Sequence, residues 1–181
     1  MNRLLRFLRR PVVIAALVVV AAAVVFGLFW FQPWKLWVNE EVDEDLPSGV
    51  ASPTATGSPG PSQPGGTLAT GKLISQEHPT RGTVRILQGA DGKRVLRLED
   101  LDTSNGPDLH VWITDAQVKD DESGWHLFDD GAHVSLGELK GNQGNQNYPL
   151  PAGLDLGRYT SVSIWCDRFD VSFGAAPLTR T

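Results

Sequence analysis

A chain of 181 residues that is 41% hydrophobic and 20% charged, with 16 Lys and Arg against 21 Asp and Glu, has the composition of a globular protein with a formal net charge of −5. The acidic balance excludes the broad basic footprint by which proteins hold nucleic acid. One cysteine in the whole chain excludes an internal disulfide and any intramolecular dithiol exchange.

Residues 1–10 carry Arg3, Arg6, Arg9 and Arg10 and read as a basic N-terminus on the cytoplasmic side. From Pro11 to Phe31 there are 21 residues without a charge, PVVIAALVVVAAAVVFGLFWF. At about 1.5 Å per residue, a helix of that length matches the hydrocarbon thickness of a bilayer. The pattern predicts a transmembrane anchor over residues 11–32. A cleaved signal peptide has an apolar region of about 7–15 residues that ends in small side chains. Here the run closes among Phe26, Phe29, Trp30, Phe31, Trp34 and Trp37, rings that suit the membrane interface. An uncleaved signal-anchor is therefore expected.

Past the helix come Glu40, Glu41, Asp43, Glu44 and Asp45, opposed only by Lys35. Basic flanks stay in the cytoplasm, so the remaining chain is expected outside it, as a single-pass protein of the cell membrane and envelope. Residues 46–67 are dominated by Pro, Gly, Ser, Thr and Ala, a composition with too little apolar surface to offset its ordering entropy. The acidic stretch and this segment together read as a linker over residues 33–67.

Residues 68–181 have the length of one domain and hold 11 Lys and Arg against 16 Asp and Glu. Alternation of apolar and polar residues predicts strands at Leu96–Leu98, Leu109–Ile113, Val162–Ile164 and Phe169–Phe173. Further strands are expected at Gly71–Glu77, Gly82–Gln88 and Val134–Lys140, between punctuating turns such as Asn105-Gly-Pro-Asp108. No long helical stripe appears. The fold class expected is all-β, an antiparallel sandwich or barrel.

Cys166 lies on the inward parity of Val162 and Ile164, with Trp165 on the opposite face. Inward parity switches from even to odd by Phe169, which requires a bend, bulge or tight connection at Asp167-Arg168. The segment ITDAQVKDDESGWHLFDDGAH reads as a solvated acidic insertion with Trp125 and Phe128 exposed, and its order is not that of a calcium loop. A blue-copper site is not expected, because the only methionine is Met1 and no histidine closely follows Cys166. No attachment motif for covalent haem is present. A haem held noncovalently by Cys166 or a histidine remains open, with His78 and His110 as the candidate ligands and His126 and His133 behind them.

Five elements in order resemble the DM-thirteen electron-transfer family: His78-Pro-Thr-Arg-Gly-Thr-Val84, Leu96-Arg-Leu-Glu-Asp100, Thr103 to Leu109, Leu136 to Gly141 with Gln146-Asn-Tyr148, and Val162-Ser-Ile-Trp-Cys166 with Phe169 to Ala175. The resemblance covers nearly all of residues 71–178. It implies an extracytoplasmic all-β module, of a kind found beside haem-binding domains, whose redox feature is the Trp165-Cys166 pair. The expected function is then a membrane-anchored redox or electron-transfer domain with Cys166 as thiol or ligand and a redox partner outside the cytoplasm. The alternative is a noncatalytic binding or adhesion module that presents loops such as Gly141–Asn147 to an envelope component.

Overall fold

The computed structural model describes residues 10–47 and 66–181, so the basic N-terminus up to Arg9 and most of the Pro/Gly/Ser segment lie outside the described residues. The chain divides into two compact units, residues 1–35 and 36–181. In the first, Pro11 opens helix α1 (Pro11–Phe31), at a position where a missing N–H removes no helical bond. No side chain of α1 is buried, and the helix is long and apolar enough to cross a membrane. It stops at Gln32, whose backbone turns left-handed (φ 43°) while its N–H bonds the Leu28 carbonyl.

The second unit is built from eleven described strands: β1 (Glu41–Asp43), β2 (Gly66–Lys72), β3 (Ile74–Ser75), β4 (Arg81–Gln88), β5 (Arg94–Asp102), β6 (Leu109–Thr114), β7 (His133–Glu138), β8 (Gln143–Pro149), β9 (Ser161–Cys166), β10 (Val171–Pro177) and β11 (Thr179–Arg180). One sheet runs β1-β8-β5-β4-β2-β11 and the other β3-β10-β9-β6-β7. Every pairing is antiparallel except β1 on β8, which is parallel. Helix beyond α1 is limited, among the described residues, to single 3-10 turns at Pro33–Trp37 and Glu122–Gly124. The fold is the expected antiparallel β-sandwich.

Alternation supplies the core. Val84, Ile86, Leu96 and Leu98 face inward from one sheet, and Val111, Ile113, Val162 and Ile164 from the other, all fully buried in one cluster. Each such side chain contributes about 1.5–3 kcal/mol by leaving water. The β9–β10 connection is the four-residue turn Asp167–Asp170, closed by the Phe169 N–H on the Cys166 carbonyl and a left-handed Asp170 (φ 50°). This is the tight connection that the parity switch required.

Four segments depart from the sequence reading; one is Gly71–Glu77, expected as a single strand, which is divided between the end of β2 in one sheet and β3 in the other. Phe169, expected in a strand, sits exposed in that turn, because the antiparallel reversal takes up the residues between Cys166 and Val171. Gly141–Asn147, expected as a presenting loop, is largely strand β8, with Asn142 and Gln146 buried. Its amides are engaged by the acidic stretch before it. Glu41–Asp43, expected in the linker, is strand β1, and the peptide groups of Glu40 and Glu44 bond those of Gln143 and Asn145. Polar residues without alternation hid both strands, since backbone pairing and amide side chains hold them in place of apolar burial.

Candidate functional site

Strand β9 carries the two residues singled out from the sequence, one on each face. Cys166 has no exposed surface and lies in the main core, paired across the ladder with Leu109 on β6 and Val171 on β10. Burial pushes its thiol pKa up, the charge of Asp108 adds to this, and backbone N–H groups of Phe169, Arg168 and Asp108 oppose it. A protonated, enclosed sulfur is a poor nucleophile and a poor partner for thiol exchange.

Trp165 is 1% exposed and belongs to a second, smaller cluster on the outer face of the same sheet, with Trp112, Phe128 and Ala175. Its ring stacks on Trp112 with centroids 5.0 Å apart, and Trp112 stacks on His133 at 4.0 Å and 4° between planes. Phe128 meets Trp165 edge-on at 6.5 Å. His133 is exposed, so the rings form a continuous stack from the interior to the surface. The Trp112 indole N–H is buried and has no hydrogen-bond partner.

The expectation that Phe128 is exposed is corrected here: it is fully buried, because the outer face of β6 and β9 carries two indoles that need apolar cover. The acidic residues of its loop serve mainly as local ties. Asp115 accepts from the Ala132 N–H and pairs with Arg158, and Asp121 caps the Glu122–Gly124 turn.

His110 lies directly across from Trp165 in the ladder. Its Nε2 is 3.2 Å from Asp108 and 3.6 Å from Asp167, and Arg168 adds a contact to Asp108 at 3.7 Å. These four side chains border the turn below Cys166. Burial, with the neighbouring Asp108 and Asp170, pushes the Asp167 carboxyl up against the lowering effect of His110 and His133. His78 stands apart from this group, its ring 3.8 Å from that of Phe173, and burial lowers its pKa against the pull of Glu77.

The structure thus unites Trp165 with His110 and adds Trp112 and His133, while Cys166 lies on the reverse face and His78 on Phe173. In the sequence His133 falls at a loop's end, where nothing marks it as one of a stack of rings. The signal that could have found it is the ladder itself, which places His133 across from Thr114 and diagonal to Trp112. Among the described residues, no three His, Cys, Asp or Glu side chains are arranged to hold a metal ion. Axial ligation of haem by Cys166 would require the core around its sulfur to open.

Comparison with the curated proteins and with the solved structures gives no match. The family model described as electron transfer DM13 matches residues 72–178, from the end of β2 to just beyond β10. That span contains the ring stack, the buried thiol and the charged turn, and by it the chain belongs to the DM13 electron-transfer family.

Proposed function

We propose that this chain is a membrane-anchored domain, held outside the cytoplasm, that passes single electrons to or from a redox partner, with Trp165 and Cys166 at its centre. The observation that carries this reading is the ring stack Trp165–Trp112–His133, which links a residue without access to solvent to one at the surface. An electron needs only contact between π faces to reach a buried group, whereas a thiol reagent needs an opening. The enclosed thiol of Cys166, whose pKa burial pushes up, argues in the same direction, since it disfavours exchange chemistry and leaves the path to the rings on the opposite face of the strand.

The test uses the full chain in mild detergent. Its visible spectrum is recorded, its thiol is titrated with and without denaturant, and its one-electron response is measured by voltammetry beside Trp165→Phe, Trp112→Phe and Cys166→Ser. The expected outcome is a thiol that reacts only on unfolding and an electrochemical signal that Trp165→Phe and Trp112→Phe both diminish. A Soret band lost in Cys166→Ser would replace this path with haem ligation. A silent protein whose indole variants keep the wild-type cellular role overturns the electron-transfer reading.

A further inference from the structure

The acidic segment between α1 and the sandwich binds the domain through contacts unlike those that hold the other strands together. Val42 is only half-buried, Glu41 and Asp43 are exposed, and no residue of β1 enters either apolar cluster. The apolar core therefore closes without this strand. What β1 does make is a dense polar seam. The Asn142 side chain accepts from the Glu40 N–H at 2.7 Å, Asn145 donates to Asp43 at 2.7 Å, and Asn147 gives its backbone N–H to the Glu44 carboxylate at 2.7 Å. Lys140 pairs with Glu44 at 2.7 Å, and Arg97 donates to the carbonyls of both Glu44 and Asp45.

The receiving surface is shaped for a chain lying on it. A Cβ at Gly141 would meet the Glu40 carbonyl, and one at Gly144 would strike the carbonyl of Val42. Gly144 also takes φ 95°, a conformation that L side chains rarely adopt. Arg97 is only 5% exposed although it faces outward from β5, and it hydrogen-bonds the carbonyls of residues 44 and 45. The Glu44 carboxyl is held below its ordinary pKa: burial works to raise it, and Lys140, the Asn147 N–H and Arg97 outweigh that. Backbone pairing to an exposed sheet edge, with side chains setting selectivity, is the general mode of strand addition.

We propose that β8 and its flanks form an acceptor groove for an extended acidic peptide, that residues 38–45 of this chain are its resident occupant, and that this clasp holds the helix-bearing piece to the domain without need of the covalent connection through residues 48–65. The covalent lead into the folded unit is then residues 32–37, and the Pro/Gly/Ser segment is a connection between two strands of one sheet, β1 and β2. A connected segment faces its groove at an effective concentration of about millimolar. The clasp must therefore hold at concentrations about a thousandfold lower once the connection is cut.

The test inserts a specific protease site between Thr56 and Gly57 of the full chain, solubilises the protein in mild detergent and cleaves it to completion at micromolar concentration. The expected result is one complex containing one copy of each piece, from which an excess of a synthetic peptide of residues 37–47 displaces the helix-bearing piece. Glu44→Lys, which places a cation against Lys140 and removes the acceptor for Asn147, is expected to separate into two species under the same conditions. Separation of the wild-type pieces on cleavage overturns the proposal. So does a Glu44→Lys protein that stays joined as firmly as wild type, or a complex with two copies of each piece, in which the segment has passed to a second molecule.

Discussion

Tyr148 shows how much one buried hydroxyl organises. It is 2% exposed, donates to Gln146 at 2.7 Å and accepts from the Lys140 N–H at 3.1 Å, so it supports the chain from which Lys140 reaches Glu44. Burial, reinforced by the Glu44 charge and opposed by the Lys140 N–H, pushes its pKa up to about 12. A group whose folded pKa is raised contributes stability below its unfolded value, about 10, and loses it as pH rises toward about 12. Over that interval the loss approaches about 1.4 kcal/mol per pH unit. Urea midpoints between pH 9 and 12 should decline more steeply in wild type than in Tyr148→Phe, and parallel slopes would remove Tyr148 from the alkaline transition. Near neutral pH the same variant should be about 1 kcal/mol less stable, the net worth of its hydrogen bond. The placing of Tyr148 was not legible in the sequence. Its neighbours Asn145, Gln146 and Asn147 read as a polar loop, and only the structure shows Gln146 fully buried against the tyrosine hydroxyl.

At the level of elements, the crossing of β10 by the segment before β4 is set by one missing side chain. A Cβ on Gly174 would fall on Thr80, whose hydroxyl donates to the Phe173 carbonyl at 2.9 Å and lies 2.7 Å from that of Thr103. Gly174→Ala should destabilise the domain by about 1–3 kcal/mol through overpacking. Because Thr80→Ala removes the closest atom, the two changes together should cost less than their sum, and strictly additive urea-denaturation energies would refute the contact. Elements with an apolar period were legible: β4, β5, β6, β9 and the turn after Cys166 follow from alternation and its change of parity. The polar elements were not, because β1 and β8 are held by backbone pairing and amide side chains that hydropathy does not register. The candidate site was half legible for a related reason. Alternation assigned Trp165 and Cys166 to opposite faces, but the stack on Trp112 and His133 depends on which strands are neighbours.

Across the whole molecule, the acidic sandwich and the uncharged helix α1 divide the labour that the proposed orientation requires. Protease shaving of intact cells should digest residues 66–181 and spare α1, whereas protection of the domain until lysis would reverse the orientation. Three of the four sheet edges are blunt as well: β1, β3 and β11 have three, two and two residues, too short to template another chain, while β7 at the fourth has six. The clasp also has a history in time. Glu40 bonds Asn142 across a sequence separation of 102 residues, so the strand is made long before its groove exists. At synthesis rates of about 5–20 residues per second, the new strand waits roughly 5–20 seconds for its own acceptor. During that interval the segment has yet to meet the strand it pairs with, and the sheet is completed at this edge only after β8 has emerged.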